Sequence, residues 1–189
     1  MIRKNILELS KLISYEEEIN QFLDDIAVST LNGRLILTGV GKNALIAEMI
    51  YEFLLPFNID CHVLDPHRAA HGNLGLLRDG DTIVLSSKSG NTEELIWLLR
   101  MIEKKGMKDL KFFLITSNPK GKLCYANNIQ SLIIPVSFEN SLFNHSPQNT
   151  VMSYLIIFMG LVTVMARKQE MNERDYLLNH QSGEIGKSL

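Results

Sequence analysis

Short β-type runs alternate with helical stretches through most of the chain, and that alternation restricts the possible folds more than any other feature. Arg34-Leu35-Ile36-Leu37-Thr38, Asp60-Cys61-His62-Val63-Leu64 and residues 82–86, 111–116 and 131–136 read as strands, each built around an apolar stretch. Helical segments over 43–57, 67–71 and 92–105 lie between them. They are punctuated by Asp65-Pro66, by the turn Gly72-Asn73-Leu74-Gly75 and by Gly106. Strands separated by helical crossovers pair in parallel, and right-handed crossovers put helices on both faces of the sheet. The expected fold class is α/β, a doubly wound five-stranded parallel sheet. Residues 2–28 carry Ile6, Leu9, Ile13, Ile19, Phe22, Leu23 and Ile26 at helical spacing, which predicts a helix within 1–30. With an α/β core over 31–168 and a tail over 169–189, the 189 residues read as one domain.

Composition excludes more than it selects. A chain 46% hydrophobic and 21% charged, with net charge -2, is an ordinary globular one with no basic stripe for nucleic acid. Cys61 and Cys124 are far apart and beside apolar segments, which suggests free thiols in a reducing compartment. Glu8, Ser10 and Lys11 interrupt any secretory apolar run after the basic start, so a cytoplasmic protein is expected. Residues 151–166 are almost wholly apolar but stop at Arg167-Lys168, short of the roughly 20 residues of a membrane span. They are read as a core helix that also packs against another subunit, with no membrane partner.

The chemistry is concentrated in Ser86-Ser87-Lys88-Ser89-Gly90-Asn91-Thr92-Glu93-Glu94, between the third strand and its helix. Such a turn aims unpaired N–H groups and the positive end of a helix dipole at one point. The hydroxyls of Ser87, Ser89 and Thr92 around a glycine make it a candidate phosphate cradle, with ordinary helix capping as the alternative. Gly39-Val40-Gly41-Lys42-Asn43 is a second glycine turn after a strand. Position 44 is Ala where a dinucleotide fingerprint needs its third glycine, so no nucleotide cofactor is expected. Both turns lie at carboxyl ends of strands and should face one crevice. Lys42 would point its ammonium into it, with Gly41 and Asn43 as candidate substrate contacts beside it. His67 and His71 have metal-ligand spacing, but Arg68 stands where zinc hydrolases carry Glu, so His71 is read as a substrate contact. Glu94, Glu139 and His180 complete the ionisable candidates.

These motifs resemble the SIS (sugar isomerase) domain family of phosphosugar-binding proteins, and within it the bacterial arabinose 5-phosphate isomerases. The resemblance rests on Gly39-Val40-Gly41-Lys42, on Pro66 with Ala69-Ala70-His71-Gly72-Asn73-Leu74-Gly75, and on Ser87-Lys88-Ser89-Gly90. It extends to the tail Leu178-Asn179-His180 with Gly183 and Gly186. It implies that Ser87, Ser89 and Thr92 hold a phosphate. It also implies that Lys42, Glu94, Glu139 and His180 form the reaction site, with His71 beside them. It implies a homotetramer whose subunits share catalytic side chains, a sugar phosphate as substrate, and a place in making the eight-carbon acidic sugar of bacterial outer surfaces.

The implied reaction interconverts D-arabinose 5-phosphate and D-ribulose 5-phosphate through an enediol, without a redox cofactor or a metal. Glu139 or His180 would carry the proton, Glu94 would assist or open the ring, and Lys42 or His71 would stabilise the oxyanion. An isomerase of another phosphosugar, such as a hexulose 6-phosphate, and a non-catalytic phosphosugar-binding regulator are the alternatives. The sequence departs from the isomerases at Arg68, Asn73, Asn91, in the loop Pro147-Gln148-Asn149-Thr150 that is Ser/Thr-rich in them, and at Gln181-Ser182, positions around the expected sugar site. The paired CBS modules that often follow this domain are not in the sequence, so the ligand sensing they provide is expected to be absent.

Overall fold

The elements in chain order are α1 (Ile2–Leu9), α2 (Glu16–Ser29), β1 (Leu35–Gly39), α3 (Lys42–Leu54), β2 (Cys61–Val63), α4 (Pro66–Ala69) and β3 (Thr82–Ser86). They continue with α5 (Glu93–Lys105), β4 (Lys111–Thr116), β5 (Ile129–Ile133), α6 (Gln148–Lys168), α7 (Glu173–Leu178) and α8 (Gly183–Gly186). This computed structural model describes residues 2–126, 128–139 and 145–187. Among them the strands form one five-stranded sheet in the order β2-β1-β3-β4-β5, with every pairing parallel.

Burial explains why the central strands are continuous apolar runs. Every residue of β1 and β3 is buried, because both faces of the sheet are covered. Successive side chains go to opposite faces. Leu35, Leu37, Val84, Phe113 and Ile115 join a core with α2, α3 and α6, while Ile36, Ile83, Leu85 and Leu114 join another with α5. At the amino ends of the strands, Arg34 forks onto Asp81 through bonds of 3.0 and 2.7 Å, tying β1 to β3.

Several boundaries differ from the sequence expectation, two of them with a clear local cause. The helix predicted over 2–28 is broken by a 3-10 segment, Ser10–Tyr15, before α2 begins. Ser10 turns its hydroxyl back onto the Leu7 carbonyl at 3.0 Å, the local competition by which serine loosens helices. The fifth strand starts at Ile129 and stops before Pro135 instead of spanning 131–136. Ile134 still donates to Thr116 at 2.8 Å, but Pro135 has no N–H with which to extend the ladder.

The sheet order places the change of winding direction between β1 and β3, the position where doubly wound folds open a ligand crevice. The 21-residue α6 has the length and apolarity to cross a bilayer; half of its apolar window is buried within this fold. Tyr154, Phe158 and Leu161 are among its buried residues.

Candidate active site

Gly39 brings the two loops together. A Cβ there would lie 2.8 Å from the Asn43 Cβ and 2.9 Å from the Ser86 hydroxyl oxygen, so only glycine permits the approach. Asn43 closes the gap by donating from Nδ2 to the Ser86 carbonyl at 3.2 Å. Gly41 precedes α3 at φ +62, the left-handed region that favours glycine, and Lys42 opens the helix, exposed at the strand ends.

The 86–92 turn is braced from within. The Ser87 and Thr92 hydroxyls lie 2.7 Å apart, and the Gly90 N–H donates to the Ser87 oxygen at 3.1 Å. Thr92 occupies the N-cap of α5 but gives it no side-chain cap. The N-cap side chain therefore leaves the first turn of that helix open, and its N–H groups and dipole face the turn. Ser89 is exposed and accepts from the Asn91 N–H at 3.1 Å, whereas Ser87 is only 1% exposed. Ser87 thus shapes the cradle from beneath, and Ser89 and Thr92 stand nearer its mouth.

The loop after β4 supports the turn from outside. Gly90, at φ +62, packs against Gly121; a Cβ on Gly121 would sit 2.6 Å from the Gly90 Cα and 2.8 Å from the Ser89 carbonyl oxygen. Asn118 donates to the Ser89 carbonyl at 2.9 Å, and the Ser117 N–H to the Lys88 carbonyl at 3.1 Å. Ser117 in turn meets the Tyr154 hydroxyl at 3.0 Å. Burial drives the Tyr154 phenol far above its ordinary pKa, and the nearby Glu139 charge adds to the rise against the lowering bond from Ser117. Tyr154 is accordingly a neutral support.

Glu139 joins this turn to α6. Its Oε1 accepts from Lys88 Nζ at 2.6 Å and from the Thr150 hydroxyl, while Oε2 accepts from the Asn149 N–H at 2.7 Å. A carboxylate at the start of a helix satisfies orphan N–H groups and complements the dipole. Glu139 is 2% exposed, which such multiple pairing makes tolerable.

Glu94 lies in the first turn of α5 with Oε1 3.7 Å from Nε2 of His67. Asp65 caps α4 by accepting from the His67 N–H at 2.8 Å, Pro66 fills the first helical position, and the helix ends at Ala69. His71 therefore falls in the exposed turn beyond the helix, not on a helix face shared with His67.

Comparison with known proteins fits this geometry. No family model matches the sequence. The chain is 28% identical over 156 residues to the arabinose 5-phosphate isomerase KdsD of Francisella tularensis, covering 82% of this chain and 46% of that protein. It is 25% identical over 157 residues to the enzyme of the same name from Pseudomonas aeruginosa, covering 83% and 47%. The chain thus spans just under half the length of these relatives. A solved E. coli CFT073 protein, in complex with arabinose 5-phosphate, superposes with a TM-score of 0.79 at 21% identity, covering 95% of this chain and 93% of that one. The chain thus shares the fold of that solved protein, in line with its resemblance to SIS (sugar isomerase) domains.

Within this fold His180 stands apart from the other candidates. It stacks on Tyr176 with ring centroids 4.8 Å apart, and Tyr176 packs on Phe57 at 4.8 Å. Asn179 fastens the tail beside it, donating to the Pro56 carbonyl at 2.9 Å and to Asn58 Oδ1 at 3.2 Å. These contacts lie at the far end of α3, whose 13 residues put about 20 Å between that end and Lys42. One subunit therefore does not bring His180 together with Lys42. His180 instead lines an open groove of about 1380 Å³ with Met49, Phe53, His62 and Asn73, and its buried Nδ1 has no partner among the described residues.

Sequence reasoning named Ser87, Ser89, Thr92, Lys42, Asn43 and Glu94 around the crevice but missed Lys88 as a site residue. The signal was present: a lysine inside a turn of hydroxyls needs a counter-charge unless it points to water. Tyr154, a support on α6, carries no comparable mark in the sequence.

Proposed function

We propose that this chain is an aldose-ketose isomerase of sugar phosphates, interconverting D-arabinose 5-phosphate and D-ribulose 5-phosphate through an enediol. The observation that carries the reading is the braced hydroxyl turn beside Lys42, at the change of winding direction of the sheet. The names of the relatives and the arabinose 5-phosphate complex of the superposed protein support it. The open N–H groups at the start of α5 and the hydroxyls of Ser89 and Thr92 bind the phosphate, which anchors the sugar remotely from the reacting carbons.

The reaction moves one proton between adjacent carbons, with a transient oxyanion on each neighbouring oxygen. Lys42, exposed at the crevice, supplies the fixed cation for that charge, with His71 beside it. Of the two proton-carrier candidates, the separation of His180 from its own crevice, and an Nδ1 with no partner among the described residues, favour His180 of a neighbouring subunit. Glu139 instead holds Lys88 within the turn, because its oxygens already accept from Lys88, Thr150 and Asn149. Glu94 assists ring opening from the first turn of α5. This arrangement requires an oligomer, and a homotetramer is proposed.

Incubation with pentose and hexose phosphates in D₂O tests the reading. Deuterium entering C1 or C2 of arabinose 5-phosphate with formation of ribulose 5-phosphate is expected. Exchange confined to a hexose phosphate would reassign the sugar, and binding without exchange would leave a phosphosugar-binding regulator.

A further inference from the structure

The buried residue of α1 is a carboxylate, Glu8, and not an apolar side chain. Ile2, Ile6 and Leu7 of the same helix are exposed at 77%, 60% and 58%, so apolar burial does not explain how α1 is held. Glu8 is 8% exposed, and a carboxylate so placed needs several donors. It has them. Oε1 accepts from the Ser137 N–H at 2.7 Å and the Ser137 hydroxyl at 3.1 Å, and Oε2 accepts from Lys11 Nζ at 2.6 Å. Lys11 also reaches the Ser137 oxygen at 2.6 Å, and the Lys4 ammonium lies 5.9 Å from the centroid of the Phe138 ring. Burial raises the Glu8 pKa, but Lys11 and the two Ser137 donors outweigh it and leave the group below its ordinary value.

Ser137 is two residues before Glu139, after the ladder of β5 has ended. No strand pairing among the described residues fixes that stretch, and the Asn149 side chain, bonded to the Phe138 carbonyl at 2.7 Å, holds only its far side. We propose that Glu8 is a positioning residue, which fixes the Ser137–Phe138–Glu139 segment so that the Glu139 carboxylate meets Lys88 and the start of α6. The N-terminal helix thereby sets the shape of the phosphate turn through Glu8, Ser137, Glu139 and Lys88. The inference rests on the functional reading above only in giving that turn a substrate.

Glu8→Gln keeps the shape of the side chain and removes its charge. Hydrogen exchange of the Asn149 and Thr150 amides, which face Glu139, reads the carboxylate's position without any turnover. Exchange at both amides should quicken about tenfold in Glu8→Gln, as expected when a charge-assisted bond becomes neutral, and Glu8→Asp should recover part of the loss. In steady-state kinetics Glu8→Gln and Glu139→Gln should change the same constant, KM or kcat, and Glu8→Gln should add less than about twofold on top of Glu139→Gln. Unchanged amide exchange, or fully additive kinetic effects at constant fold, would overturn the inference while leaving isomerase activity in place. Absence of isomerisation in the wild type would remove the functional reading and leave the exchange result to decide this one.

Discussion

Lys88 and Glu139, 51 residues apart in the chain, meet at 2.6 Å and make the 86–92 turn and the start of α6 a single unit. Lys88 lies within the hydroxyl-bearing turn, so moving Glu139 moves the frame on which a phosphate would rest. The pair is not symmetric. Glu139 is almost wholly buried while 39% of the Lys88 side chain is exposed, so the carboxylate is the fixed member and the ammonium the held one.

Lys42→Ala and His180→Ala should each lower turnover by at least about 100-fold, the low end for loss of an acid–base or charge-stabilising group. If His180 acts in a neighbour's crevice, oligomers mixed from the two inactive variants should regain activity, because some sites then hold both intact residues. Steady-state assays on co-refolded mixtures check this, and no recovery at any ratio would place the two residues in the same subunit's site or in none.

Gly121→Ala should damage the turn without touching a hydroxyl. Its new Cβ would press on the Gly90 backbone at 2.6 Å, where no flexible side chain can give way. Overpacking of this kind costs about 1–3 kcal/mol, measurable by denaturant unfolding. Sugar-phosphate affinity should fall with it, whereas Gly72→Ala, where a Cβ meets nothing within 4 Å, should strain only a surface turn.

Cys61 predicts an alkaline limb of stability. Burial, reinforced by the Asp60 charge and slightly opposed by the His62 N–H, pushes its thiol from 9.0 up to about 12. The folded state holds the neutral form, so the contribution is complete below 9 and is lost as pH rises from there toward about 12. By about pH 11 the wild type should have lost roughly 3 kcal/mol more than Cys61→Ala, read from urea unfolding at each pH. Cys61 should also resist alkylation in the native protein.

Glu8 predicts the opposite limb. Its folded-state pKa lies below 4.5, so its stabilisation is present above that value and disappears as pH falls through the folded value. The stability gap between wild type and Glu8→Gln should be widest near neutrality and close in acid. A gap independent of pH would show that the charge of Glu8 contributes nothing to stability.

Much of the framework was readable because the central strands are buried on both faces. Residues 82–86 and 111–116 are built around the apolar stretches Ile83-Val84-Leu85 and Phe112-Phe113-Leu114-Ile115, and the structure places β3 and β4 on those same residues. Boundaries were harder where a local side chain competes with the backbone, as at Ser10, or where ladder bonds continue past an expected start, as at Ile129. The turn at 86–92 was visible through its hydroxyls and glycine. Its external braces at Gly121 and Asn118 were not, because nothing in their local pattern distinguishes them from an ordinary loop.

Local chemistry, then, is what the amino-acid order by itself determined: parallel strands from apolar runs joined by helices, glycine turns at their ends, and hydroxyls and a lysine within those turns. Such features depend on neighbours a few residues away, so they survive in any reading of the chain. Tertiary structure alone decided the long-range pairings, Glu8 with Ser137, Lys88 with Glu139 and Asn43 with Ser86, and the placing of His180 at the far end of α3 from Lys42. A charge can be matched by any distant partner of the right chemistry, and only the packing of the sheet and its helices selects which one comes within hydrogen-bonding distance.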